Sequence, residues 1–113
     1  MLGIDLTQSG AEAVLSLSGR ITVDSSPQLR NQLLAILHGE MPETVTVNLA
    51  GVPYLDFSGI ATLIEALKIA RHRNKTLVLQ GLQGPIAHLL QISGLLALFQ
   101  TGNVSARSNE KVQ

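Results

Sequence analysis

Between Thr44 and Gln80 the chain changes its hydrophobic period twice, and a sheet layered with helices accommodates both changes. Thr44 to Leu49 alternates strictly, with Val45, Val47 and Leu49 on one side, the period of a half-buried strand. From Asp56 onward Ile60, Leu63, Ile64 and Leu67 recur at helical spacing as far as Ala70. Asn74 then offers a left-handed stop. Within Thr76 to Gln80, Leu77, Val78 and Leu79 follow one another without alternation, as in an interior strand covered on both faces. This segment is expected in the middle of the sheet.

The flanking segments extend the pattern. Ile4 to Thr7 and Ala13 to Ser18 alternate apolar and polar residues about the turn Ser9-Gly10-Ala11, which reads as a β-hairpin. The string Asp24-Ser25-Ser26-Pro27 offers an N-cap with proline at the first helical position. Leu29, Leu33, Ile36 and Leu37 then line one helical face, which Gly39 can end. Later, Pro85 starts a helix with Ile86, Leu89 and Leu90 on its buried stripe, and Ser93-Gly94 breaks it. Leu95 to Phe99 reads as a further short helix or an edge strand. From Thr101 to Gln113 the apolar residues are Val104, Ala106 and Val112, too few to offset the entropy of ordering. The expectation is one α/β domain over residues 1–100, with a mixed four- to five-stranded sheet, an N-terminal hairpin and three to four helices. A polar, flexible tail is expected over 101–113.

Composition narrows the function classes. Eight basic and eight acidic residues give a formal charge of zero, which leaves no overall field to draw nucleic acid or an anionic membrane. Half of the basic residues, Lys68, Arg71, Arg73 and Lys75, are clustered, and at a helix end they are expected to face solvent and complement its negative dipole end. No cysteine is present, so disulfides and thiolate metal sites are excluded, in keeping with a reducing cytoplasm. No segment reads as a signal peptide or a membrane span. His38, His72 and His88 show neither triad spacing nor a metal-ligand pair four apart, so neither catalysis nor a metal is expected. Asp5 stands alone in a hairpin strand without the further carboxylates a receiver-type magnesium site needs. No glycine-rich nucleotide fingerprint occurs, so no cofactor is expected.

The loop Asp56-Phe57-Ser58-Gly59-Ile60 joins a strand to a helix. It puts Ser58 where unpaired N–H groups and the positive dipole end favour an anion, including a phosphate carried on the serine itself. On local chemistry alone, Asp56 or Ser58 serves as a plain helix cap, with Gly59 there for close packing.

Three separated stretches together carry a resemblance. They are Gly19-Arg20-Ile21 with the Ser25-Ser26-Pro27 helix start, Val47-Asn48-Leu49 leading through Val52 and Leu55 into Asp56-Phe57-Ser58-Gly59-Ile60, and Ile92-Ser93-Gly94-Leu95 before Phe99. Over about Ile4 to Phe99 the chain resembles the STAS domain, the fold of bacterial anti-sigma factor antagonists of sporulation and stress responses. The resemblance implies that Ser58 is the phosphoacceptor and that Asp56, Phe57, Gly59 and Ile60 form the phospho-loop and partner-binding segment. It also implies that the unmodified protein binds an anti-sigma factor that is a serine kinase, that phosphorylation of Ser58 ends the binding, and that a serine phosphatase restores it. The chain itself would be no enzyme, would act in the cytoplasm, and could form a homodimer. Phe57 departs from the second small hydroxylated residue found in many members. It either plugs the loop into the core, the favoured reading, or stands exposed as a partner anchor. Within the family two further roles exist, an accessory subunit of a lipid-transporting ABC complex and a scaffold of a stress-sensing complex.

Overall fold

The computed structural model describes residues 2–92, 94 and 104–106. The hairpin is formed by β1 (Gly3–Ser9) and β2 (Glu12–Ser18), and its turn holds Gly10 at φ 61°, a left-handed conformation that glycine adopts without penalty. There follow α1 (Ser26–His38), β3 (Thr44–Gly51), α2 (Phe57–His72), β4 (Thr76–Gln80), α3 (Gly84–Ile92) and β5 (Val104–Ala106). Asn74 has φ 58° after α2, as its place in the sequence suggests.

The five strands are ordered β1-β2-β3-β4-β5. The hairpin pair is antiparallel and every later pair is parallel, so the sheet is mixed. A parallel neighbour requires the chain to return over the sheet, and α1 and α2 make the returns from β2 to β3 and from β3 to β4, while α3 lies between β4 and β5. The centre is β3 and not β4, although β4 is interior, with Leu77 and Leu79 fully buried and Val78 2% exposed. An unbroken apolar run reports coverage of both faces, which any interior strand shares; it does not report position within the sheet.

The odd-numbered residues Leu15, Leu17, Val45, Val47, Leu49, Leu77 and Leu79 share one sheet face, as a period of two dictates. Leu29, Leu33, Ile36 and Leu37 of α1 and Ile60, Leu63, Ala66, Leu67 and Ala70 of α2 pack in the same cluster, and Ile86 and Leu90 of α3 complete it. Each fully buried leucine or isoleucine contributes about 1.5–3 kcal/mol relative to exposure, so this aliphatic layer supplies the cohesion that three aromatic residues cannot. On the surface Arg30 of α1 grips Glu65 of α2 through two hydrogen bonds of 2.7 and 2.8 Å.

Three expectations change. Ser25 occupies the N-cap position of α1, but its hydroxyl does not cap the helix. It accepts from the Thr22 N–H at 3.0 Å and donates to the Arg20 carbonyl at 2.9 Å, closing the β2–α1 loop on itself. Lys75 does not face solvent with the basic cluster. It is 4% exposed, and its Nζ donates to the carbonyls of Glu40 at 3.2 Å and Pro42 at 2.5 Å, so its charge is spent on the α1–β3 loop. Arg73 likewise donates to the His38 carbonyl at the end of α1, at 2.7 Å. Finally, Val104–Ala106, inside the segment expected to be a flexible tail, pairs in register with Leu77–Leu79. The free edge of β4 organises those three residues, a long-range effect that local hydrophobicity does not record. The segment Leu95 to Phe99 and the rest of the tail lie outside the described residues. No helix among the described residues is long and apolar enough to cross a membrane.

Candidate functional site

Two loops meet at the carboxyl ends of β2 and β3, and backbone hydrogen bonds stitch them together. The Gly19 N–H donates to Gly51 O at 3.0 Å, Ile21 N–H to Tyr54 O at 3.0 Å, and Asp56 N–H to Ile21 O at 3.1 Å. Ile21 and Leu55 form an isolated parallel bridge, so the sheet's pairing continues past the strand ends into the loops. The start of α2 is thereby held against the β2–α1 loop.

Asp56 is the N-cap of α2, with extended backbone at φ −103° and ψ −172°. One oxygen of its carboxylate, Oδ1, accepts from the Ser58 N–H at 2.9 Å and the Gly59 N–H at 3.4 Å, satisfying amides that the first helical turn leaves unpaired. The same oxygen accepts the Ser58 hydroxyl at 2.5 Å. The Ser58 hydroxyl bond, followed by the backbone N–H groups of Gly59, Ser58 and Val23, holds the Asp56 carboxyl below its ordinary value against an opposing desolvation. A carboxylate so stabilised is a weak base, which suits positioning of Ser58 and not removal of its proton.

Gly59 and Ile60 face inward. A Cβ on Gly59 would lie 2.5 Å from Leu55 Cδ1 and 2.8 Å from Ile21 Cγ2, so only glycine lets α2 start this close to the two loops. Ile60 is 4% exposed and belongs to the core. Both residues therefore support the Ser58 loop from beneath. Phe57 behaves in the opposite way. It is 78% exposed, so the favoured reading of it as a core plug is corrected. The core under the loop is already filled by Ile21, Leu55 and Ile60, and the first residue of α2 projects outward. Ser58 is half-buried between these two environments.

Sequence reasoning did not single out Val23, 67% exposed on the β2–α1 loop and with a backbone N–H that favours the charged Asp56 carboxylate, nor the stacking of Arg20 over the Tyr54 ring at 4.4 Å. The only sequence signal for them is membership of two loops whose meeting depends on strand order. His38 and His72 close α1 and α2 and His88 lies within α3, and among the described residues no group of three or more His, Cys, Asp or Glu side chains is arranged to hold a metal ion.

A family model described as "Mlab, STAS domain" matches residues 4–100. The anti-sigma-B factor antagonist of Bacillus subtilis is 26% identical over 112 residues, covering 99% of this chain and 98% of the relative. That of Staphylococcus epidermidis is 31% identical over 81 residues, covering 72% of this chain and 74% of the relative. Among solved structures, the Bacillus cell fate determinant SpoIIAA in its phosphorylated form superposes with a TM-score of 0.70 at 17% identity, covering 82% of this chain and 85% of that one.

Proposed function

As the chain belongs to the STAS domain family, we propose that it is an anti-sigma factor antagonist whose binding is switched at Ser58. In this reading the unmodified protein binds an anti-sigma factor that is also a serine kinase, and so frees the sigma factor. The kinase, holding ATP, transfers the γ-phosphoryl group to Ser58 Oγ; the hydroxyl proton leaves to the kinase or to solvent, and ADP is released. A serine phosphatase removes the group by hydrolysis. The chain performs neither reaction.

The observation that carries the reading is the hydrogen bond from the Ser58 hydroxyl to Asp56 Oδ1, on a half-buried serine beside a fully projecting aromatic ring. The hydroxyl is a donor to a carboxylate, whereas a phosphoserine has no proton there and brings about −1.5 to −2 charges at neutral pH. The phosphate therefore repels the Asp56 carboxylate and competes with it for the same two N–H groups, of Ser58 and Gly59. Either outcome changes the surface next to Phe57 and Val23, and a dianion in a packed interface must also lose water. Each 1.4 kcal/mol lost in that interface is about tenfold in affinity.

The test is incubation with a cognate anti-sigma factor kinase and ATP, followed by mass measurement. Wild type should gain one phosphoryl group and Ser58→Ala none; an unmodified wild type sinks the switch. Pull-downs with Ser58→Ala and Ser58→Asp separate the roles. The antagonist role requires the kinase to be retained by the first and lost by the second, whereas equal recovery points to the accessory role at a membrane transporter.

A further inference from the structure

The two edges of the sheet differ in a way that the Ser58 switch does not use. β5 is three residues long, and shortness by itself disarms an edge. β1 is seven residues long and pairs with β2 at every position from Gly3 to Ser9 without a bulge. Six of its seven residues are exposed, and its sequence, Gly-Ile-Asp-Leu-Thr-Gln-Ser, holds no proline, lysine or arginine. Among the described residues, the common devices that keep an edge strand from pairing are absent except one charge, Asp5. Leu6, 43% exposed, stands opposite Leu15 and so on the face that carries the helices.

We propose that β1 pairs with β1 of a second copy of this chain, antiparallel across a two-fold axis, joining two five-stranded sheets into one. The occupant follows from self-complementarity. An antiparallel pair of identical strands is two-fold symmetric, and residues directly opposite must share a face, so the axis passes through a residue position. An axis at Asp5 would set two like charges directly opposite each other, which is destabilising. An axis at Leu6 sets Leu6 against Leu6 of the second copy, Asp5 against Thr7, and Ile4 against Gln8. This register covers the exposed leucine and satisfies the free edge. A formal charge of zero leaves no net repulsion between copies.

The Ser58 loop sits beyond the carboxyl end of β3, at the amino end of β1, because β1 runs against β2 and β2 runs with β3. The two-fold axis reverses β1, so the dimer carries its two Ser58 loops at opposite ends, both open. Self-association is thus independent of the proposed switch, and failure of one does not imply failure of the other.

Sedimentation velocity of the full chain over a concentration series should show a monomer–dimer equilibrium that Ser58→Asp leaves unchanged. Leu6→Lys should weaken it by about tenfold or more, with the circular dichroism spectrum and thermal midpoint confirming that the variant folds. Because the chain has no cysteine, Leu6→Cys provides a second readout that does not depend on that variant. Mild oxidation should give a covalent dimer, and Asp5→Cys, off the axis, should give far less. A wild type that stays monomeric at every concentration, or equal cross-linking of the two cysteine variants, would overturn the proposal.

Discussion

Asp56 serves two roles through one carboxylate oxygen, as helix cap and as acceptor of the Ser58 hydroxyl, while its backbone N–H ties the α2 start to the β2–α1 loop through the Ile21 carbonyl. Its folded-state pKa lies below the unfolded value, so its charge stabilises the fold fully above the ordinary carboxylate range, about 3.9, and that stability is lost as pH falls through the lower folded value. Urea denaturation of wild type and Asp56→Asn should therefore show a difference in stability that is constant near neutrality and shrinks below about pH 4. A difference that grows on acidification would contradict the assigned bonding. Phe57 invites the complementary experiment. With 78% of it exposed, Phe57→Ala should shift unfolding stability by no more than about 0.5 kcal/mol. If the ring anchors the partner, the same change should cost about 2 kcal/mol or more of binding, read by calorimetry with the anti-sigma factor. Equal losses in stability and binding would assign the ring to the fold instead. Asp56 and Ser58 were legible in the sequence because a cap and a hydroxyl at a strand-to-helix junction are local chemistry. The direction in which Phe57 points was not, because it depends on Ile21, Leu55 and Ile60 having already filled the space beneath.

At the scale of elements, the α1–β3 connection shows how a charged side chain can be structural. Lys75 opens onto β4, yet its ammonium group is directed into the loop after α1, where it serves the carbonyls of Glu40 and Pro42. Removing the donor leaves those oxygens with less than their share of hydrogen bonds in a buried setting. Lys75→Met, which keeps most of the volume, should cost about 1–3 kcal/mol by chemical denaturation. Arg73→Ala, which removes an exposed bond to the His38 carbonyl, should cost about 0.5 kcal/mol or less. A larger loss at Arg73 than at Lys75 would mean the loop is held from outside. Nothing in the run Lys68, Arg71, Arg73, Lys75 distinguishes these fates, since position in the sequence specifies neither burial nor the carbonyl within reach. The elements themselves were readable where their period was strong: β3 from Val45, Val47 and Leu49, and α2 from Ile60 to Ala70. β5 was not, because three residues with one neighbouring strand carry no period at all.

For the whole molecule, the question is how far a change at Ser58 travels. The core beneath the site is a close-packed aliphatic layer shared by β2, β3, β4, α1, α2 and α3. The Ser58 side chain bonds to Asp56, and the Ser58 carbonyl accepts from the Thr62 hydroxyl one turn into α2 at 2.9 Å. Sideways, however, the β2–α1 and β3–α2 loops are stitched by the backbone bonds from Ile21 to Tyr54 and from Asp56 to Ile21, so they form one unit although thirty-odd residues of chain separate them. Displacing Asp56 from the α2 start must therefore loosen both loops together. Hydrogen exchange of the phosphorylated and unmodified proteins should differ at the amides of Ile21 to Asp24 and of Asp56 to Thr62, and agree across the ladders of β1, β2 and β3. Changes confined to the Ser58 loop would show the stitching to be without mechanical effect. Changes throughout the sheet would show a switch that works by refolding, and the antagonist reading would then need a different physical basis from the local one developed for Ser58.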